Sequence, residues 1–403
     1  MSAHSLASLR ASANSLAPHY AQSKVSTRLL LSGHSHQAWP DVAAQGQAEA
    51  FADACALLGD KWDRAFAKAE RVREGFRTLL DDSGDTSGHI ALMSSTHDAV
   101  IRFLSALPLR QRSRIITTDG EFHTLRRQLD RLREEGITIT RVRAAPSDTL
   151  YERLASALYD DGSKPAAVML SSVSFLSGEI VPHLGALQEE CDKVGALLFI
   201  DTYHHLNVAP FSIVRERLAH AYVTGGGYKY CQLGEGNCFL RLPKDSALRP
   251  VITGWYSEFE LVAGAPGARV DYPDGPGRFA GATYDPTSHY RAAAVFDFFA
   301  AQGLTVTALR EVSQHQMARL RDGFDALHLP RGVLSRADTE LTTLGGFLAL
   351  QGPYATAFAS QLRARGVDCD ARGYVLRLGP APYLSDAQLD AAMAFVGEVA
   401  RGS

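Results

Sequence analysis

An aspartate, Asp201, closes the apolar run Leu197 to Ile200, and His204 stands three residues further along. A lysine flanked by two tyrosines, Tyr228-Lys229-Tyr230, comes after the next apolar run, Ala221 to Thr224. A carboxylate at the end of a buried strand can keep the pyridine nitrogen of pyridoxal 5′-phosphate (PLP) protonated, and a lysine on a turn after the next strand can form a Schiff base with its aldehyde. This order of parts points to PLP as a cofactor before it points to any reaction. Gly234 and Gly236 let the chain turn tightly behind the lysine, and Tyr228 is able to bond a phosphate and donate a proton. His204 is suited to support either Asp201 or the 3′-oxygen of the cofactor. The neighbouring pair His204-His205 is not read as a metal site, since two adjacent histidines seldom face one ion and no third ligand has suitable spacing.

Such groups need strands to carry them to one place. Apolar runs at Ile90 to Met93, Arg114 to Thr117, Ile137 to Val142, Ala166 to Leu170, Leu197 to Ile200 and Ala221 to Thr224 read as strands. Amphipathic stretches at Asp98 to Leu107, Leu125 to Glu135 and Ala186 to Val194 read as the helices between them. That alternation predicts an α/β fold with a mostly parallel sheet sandwiched by helices, and such sheets bind ligands beyond the carboxyl ends of their strands. Ser95, Thr96 and His97 follow the first run at the start of a helix, where backbone N–H groups and small hydroxyls suit the PLP phosphate; the plainer reading is an N-cap. Phe122 follows the second run and is suited to stack on the pyridine ring; the plainer reading is a core side chain.

Beyond residue 288 the rhythm changes. Helices are expected at His289 to Ala301, Val312 to Leu327, Ala355 to Arg365 and Asp386 to Arg401, with strands at Gly346 to Leu350 and Val375 to Leu378. Gly, Pro and Asp cluster between Gly264 and Pro286, which predicts a long loop. The expected organisation is an N-terminal segment (1–45) contributing to the small domain and the site entrance, a large cofactor-binding domain (46–288) and a smaller α+β domain (289–403).

The chain has 403 residues, 46% hydrophobic and 21% charged, with a net charge of −3. That balance gives no field to attract nucleic acid or an anionic membrane, so the expected partner is a small molecule. No apolar run is long enough for a transmembrane helix, and no basic start precedes an apolar core as in a secretory leader. Five scattered cysteines without a C-x-x-C pair fit reduced thiols and a cytoplasmic location.

Asp201-x-x-His204, Tyr228-Lys229-Tyr230 and the Gly-x-Gly turn resemble kynureninase, within the class-V aminotransferase group of fold-type-I PLP enzymes, whose fold is aspartate-aminotransferase-like. Ser95-Thr96 is similar to that family's S-T-S phosphate segment, and Phe122-His-Thr124 to its F-P-T/S-D. Arg365-Gly-Val367, Asp370-Ala-Arg372 and Arg377 through Tyr383 resemble its R-G-V, D-x-R and R-x-x-P-x-P-L-Y sequence. The resemblance implies that Lys229 carries PLP, Asp201 pairs with the ring nitrogen and Phe122 stacks on the ring. It further implies that Thr96 and Tyr228 contact the phosphate, with backbone help at His97, while Arg377 binds the α-carboxylate of an amino-acid substrate, a task its planar fork suits on chemical grounds as well. Arg278 through Thr283 is similar to the R-F-x-x-G-T stretch of other class-V enzymes, whose threonine reaches the phosphate of the neighbouring subunit, which implies a homodimer with shared sites. Trp255, in Gly254-Trp-Tyr256, resembles a pocket-lining G-W-W.

The substrate side departs from that family. Leu125 stands where its aspartate would be, Ser172, Phe175 and Leu176 replace His, Tyr and Arg, and His34 and His36 lie where it has N-S-L-G. His34, His36 and His123 are candidate replacement acids or bases. The expected activity is a kynureninase-like hydrolase or lyase releasing alanine from a β-substituted amino acid, with Lys229, Tyr228 and Asp201 catalytic. Alternatives are another class-V reaction (C–S lyase, desulfurase, epimerase or aminotransferase) and a PLP-fold protein that binds without turnover. Cys369, between two aspartates, lacks the basic, histidine-containing setting of a desulfurase cysteine.

Overall fold

The computed structural model describes residues 4–259 and 269–402. Its strands in chain order are β1 (Leu29–Leu30), β2 (His89–Met93), β3 (Arg114–Thr118), β4 (Thr138–Val142), β5 (Ala167–Ser171), β6 (Leu197–Asp201), β7 (Tyr222–Gly226), β8 (Cys238–Leu242), β9 (Leu348–Gln351), β10 (Val367–Asp368), β11 (Asp370–Arg372) and β12 (Val375–Leu378). β2 to β8 form one sheet in the order β2-β8-β7-β6-β5-β3-β4. From β7 to β4 all neighbours are parallel, whereas β8 runs antiparallel to both β7 and β2.

Apolar strands of this kind are stable only when both faces are covered. Along β5, Val168 and Leu170 enter one core and Ala167 and Met169 the other, as the two-residue period of a strand requires. Helices Thr96–Ala106, His123–Glu134 and Leu184–Val194 lie in the connections between strands. Because β2, β3, β5, β6 and β7 run the same way, their carboxyl ends share one edge, and the residues just beyond them meet there.

The C-terminal part holds the antiparallel sheet β11-β12-β9 and the parallel pair β1-β10, in which Leu29 and Leu30 of the N-terminal segment lie opposite Val367 and Asp368. The last helix, Asp386–Arg401, starts at a capping box in which Ser385 and Gln388 satisfy each other's backbone N–H. Its buried Leu389, Met393, Val396 and Ala400 follow the helical period.

Most elements begin or end within a few residues of their expected positions. The helix after β2 starts at Thr96 rather than Asp98 because Ser95 caps it, and the helix expected from Val312 starts at Val306, capped by Thr305. The expected loop from Gly264 falls partly outside the described residues, and further on it contains the short 3-10 turn Gly275–Phe279. Helices Val42–Leu57, Lys61–Leu80 and Leu150–Tyr159 and strand β8 have no counterpart in the expectations.

β8 escapes notice because Arg241 interrupts its apolar pattern. Arg241 and Asp82 are both fully buried, and their side chains form a paired contact at 3.1 and 3.2 Å. The same guanidinium donates to the carbonyls of Ala219, Ala221 and Thr86 at 2.6, 3.0 and 3.0 Å. Asp82→Ala would leave that charge buried without a counter-ion, and is expected to lower the unfolding free energy by about 3–5 kcal/mol, measured by urea denaturation.

Candidate active site

Lys229 sits in the connection from β7 to β8, whose flanking residues Gly226 and Cys238 are paired across the ladder. The turn is tied down by Leu233 N–H to the Gly227 carbonyl (2.8 Å), Gln232 N–H to that of Lys229 (3.2 Å) and the Asn207 side chain to that of Tyr230 (2.9 Å). Gly234 and Gly236 adopt φ of 73° and 82°, a region that glycine enters without strain. Asp201 ends the adjacent strand β6, between Ser171 of β5 and Thr224 of β7.

The Lys229 side chain is buried, with Nζ 2.8 Å from His204 Nε2. Around it stand the rings of Tyr203, Phe122 and Tyr228, with centroids at 4.7, 5.7 and 6.0 Å. Burial lowers the proton affinity of the amine well below that of an ordinary lysine, with Asp201 pulling the other way. Burial likewise raises the Asp201 carboxyl, opposed by the Tyr203 N–H at 2.8 Å and by Lys229. His204 is driven far below the usual histidine value by burial and then by Lys229, so its ring is neutral and accepts the amine's N–H. A lysine amine whose proton affinity is lowered by burial is a better nucleophile toward a carbonyl carbon than an exposed one.

At the end of β2, the Ser95 hydroxyl accepts the Asp98 N–H at 3.2 Å, so this side chain is engaged as the cap. Thr96 and His97 occupy the first helical turn, whose amides have no partner within the helix, and His97 is exposed. A cavity of about 630 Å³ opens beside this end, lined among others by Ser94, Asp98, Gly236 and Arg291. Phe122 lies beyond β3 and packs edge-on against Phe175 at 5.7 Å.

Arg377 lies in β12 opposite Asp370 of β11, and their side chains form a bidentate pair at 2.8 and 2.6 Å. Its Nη1 also donates to the Phe175 carbonyl at 2.6 Å, so three of its five N–H groups are engaged and two remain on the Nη1/Nη2 end. Burial pushes the Asp370 carboxyl up, but hydrogen bonds from His34 and Arg377 outweigh it and hold it below the usual carboxylate range. His34 is fully buried, its Nε2 2.9 Å from Asp370, and burial lowers it to about 4. His34 thus stands buried against Asp370, the partner of Arg377.

His36 is exposed and stacks on Tyr228 at 4.7 Å. His205 bonds Ser172 and the Pro210 carbonyl, so the two adjacent histidines serve different partners. Trp255 is 46% exposed on a 3-10 turn whose Tyr256 N–H bonds the Gly281 carbonyl, and Thr283 is exposed two residues beyond that contact. Trp255 and Thr283 are thus both exposed.

Two residues of this region carry no functional reading in the sequence. Asp370 is marked only by its motif, and its pairing with Arg377 requires the β11–β12 register. Glu121 follows Asp119-Gly120 and looks like part of a turn, yet it is buried and accepts hydrogen bonds from Thr118 Oγ1 (2.6 Å) and Ser171 Oγ (2.7 Å). Burial raises its carboxyl to about 7, the two hydroxyls oppose that rise, and the charge of Asp201 adds to it. A carboxyl raised on folding stabilises the protein in acid, and that contribution fades as pH climbs from the ordinary carboxylate range to about 7. Glu121→Gln is expected to flatten this loss, gaining on the order of 3 kcal/mol on wild type between pH 4 and pH 8 in urea unfolding; equal pH slopes would contradict it.

No protein-family model matches the chain, and no curated protein sequence matches it. Solved structures do. A mutant of C-DES with glycine covalently linked to its PLP cofactor superposes with a TM-score of 0.77 at 14% identity, over 94% of this chain and 98% of that one. The complex between the cystine C–S lyase C-DES and its reaction product cysteine persulfide gives 0.76 at 15% identity, over 92% and 98%. The Escherichia coli cysteine desulfurase CsdA gives 0.75 at 14% identity, over 98% of both chains. The chain thus has the α/β fold of class-V aminotransferase-like, fold-type-I PLP enzymes, as the sequence motifs imply.

Proposed function

We propose that the chain is a PLP-dependent lyase that eliminates a sulfur-linked group from Cβ of an amino acid, with a disulfide such as cystine as the substrate class. The observation that supports this most directly is the meeting, at one sheet edge, of the buried Lys229 amine with the strand-end carboxylate of Asp201. These residues fit the cofactor: Lys229 for the aldehyde, Asp201 for the pyridine nitrogen, His204 for the 3′-oxygen and Phe122 for a ring face. The amides of Thr96 and His97, together with Tyr228, suit the phosphate.

When bound, PLP supplies the electron sink that allows a bond at Cα to break. Lys229 Nζ accepts the Cα proton, since burial lowers its pKa to about 7 and makes the free amine available near neutral pH. Arg377 holds the α-carboxylate on its two remaining N–H groups, oriented by Asp370 and the Phe175 carbonyl. Tyr228, whose phenol burial keeps protonated, donates a proton at its hydroxyl. Phe122, Tyr203 and Tyr228 surround the amine and keep bulk water from it.

The thiols favour elimination over desulfuration. An enzyme that takes sulfur onto its own cysteine needs an accessible thiolate. Burial pushes the thiols of Cys238 and Cys369 up to about 12 and raises those of Cys191 and Cys231 as well. Cys55 is exposed, but on helix Val42–Leu57. Elimination needs none of them, and C-DES, with the same fold, is described as a cystine C–S lyase.

Kynureninase-like hydrolysis is the second reading, favoured by the Asp370–Arg377 pair that underlies the D-x-R resemblance. Against it, Ser172 is buried and bonded to His205, and Phe175 is buried against Phe122 and His123, so neither offers an acid or base for a ketone. We also propose a homodimer, in which exposed Val251, Ile252, Trp255 and Phe259 are covered and Thr283 reaches the partner's site.

Purified protein given PLP is expected to show visible cofactor absorbance and to form pyruvate from cystine. Lys229→Ala should fold normally, lose that band and lose at least about a thousandfold in kcat. Anthranilate from kynurenine without pyruvate from cystine would replace the lyase reading with the second one, and no visible band with wild-type protein would remove the cofactor assignment.

A further inference from the structure

We propose that one buried water molecule is bound between the Lys229 turn and helix Val306–Ala326, held by the side chains of Asn207, Tyr230 and Ser313. The water gives that helix a polar hold on the turn that carries the lysine. The site does not depend on which cofactor or reaction the protein uses.

Asn207 Oδ1, the Tyr230 hydroxyl and Ser313 Oγ are all buried and make no hydrogen bond of normal geometry to the described residues. The three residues are 3, 3 and 7% exposed, and all of them line one cavity of about 20 Å³. Polar atoms this deeply buried are seldom left unpaired, so three around one space point to a shared partner. A water needs roughly 10–15 Å³ and two to four polar neighbours, and this cavity supplies both.

Each side chain is set to serve such a partner. Asn207 holds a left-handed backbone, with φ of 65°, and its Nδ2 donates to the Tyr230 carbonyl at 2.9 Å. A carbonyl only accepts, so the amide nitrogen is used there and Oδ1 is left as an acceptor. The Gly346 backbone donates toward the Tyr230 hydroxyl, and burial keeps that phenol protonated, so its own proton still needs an acceptor. A serine inside a helix usually faces solvent or bonds the carbonyl four residues back, and Ser313 does neither. A water donates to Asn207 Oδ1, accepts the Tyr230 proton and shares a bond with Ser313. The residues lining the cavity are all uncharged, and the positive charge of Arg377 acts on the same phenol, so a neutral molecule suits the site better than a cation.

A high-resolution crystal structure of the whole chain should show a density peak about 2.7–3.2 Å from each of the three atoms. Ser313→Ala is expected to lower the melting temperature by about 1–3 °C, although alanine is the better helix former. Ser313→Val should lower it further, because its methyl groups take the place of the water and leave Asn207 and Tyr230 unpaired. In the Ser313→Ala/Tyr230→Phe double variant the fall should be clearly smaller than the sum of the single falls, since both hydroxyls act through one water. If the cavity is dry, removing an unpaired hydroxyl or filling the space stabilises the fold instead. Unchanged or higher melting temperatures in both Ser313 variants would therefore overturn the proposal, as would strictly additive falls or the lack of a density peak.

Discussion

Keeping an amine out of water beside a carboxylate is the constraint from which the rest of the site follows. A buried lysine loses its hydration, and the protein meets that cost by favouring the neutral amine, bonding it to a neutral histidine and placing Asp201 nearby. Each of these needs a fixed backbone position. Asp201 and Lys229 come from the ends of adjacent parallel strands, and the antiparallel turn to β8 returns the chain so that Lys229 faces back over the sheet edge. The rings of Phe122, Tyr203 and Tyr228 complete the enclosure, offering polarisable faces to the amine.

A buried guanidinium in the same region is handled differently. Asp370 pairs with Arg377 within one short hairpin. His34, from the N-terminal segment, bonds that aspartate, and the Phe175 carbonyl, from the loop after β5, takes another guanidinium N–H. Residues far apart in sequence thus converge on one guanidinium and fix its remaining N–H edge. Such a pair adds little net stability, because desolvation offsets its attraction, but it orients a side chain well.

The strands were legible in the sequence because a strand buried on both faces is an unbroken apolar run, and the cofactor-side residues were legible because they follow those runs in a fixed order. β8 was not, since Arg241 is tolerated there only through Asp82, far away in the chain. Asp370 was hidden for a similar reason: its role depends on facing Arg377 across a hairpin, and register cannot be read from either residue alone. His34 has the chemistry of an acid or base, and only its complete burial shows that it supports another residue. The motifs that resemble kynureninase concern mainly the cofactor frame, which enzymes of different reactions hold in common, and the substrate side reads differently once the apolar setting of Phe175 and the buried thiols are seen.

The central claim is that the Lys229 amine is the one that bonds the cofactor aldehyde. Incubation with PLP, reduction with borohydride and peptide mapping by mass spectrometry test it directly. The account predicts one stoichiometric pyridoxyl label, on Lys229. Labelling spread over surface lysines, with Lys229 unmodified, would contradict it.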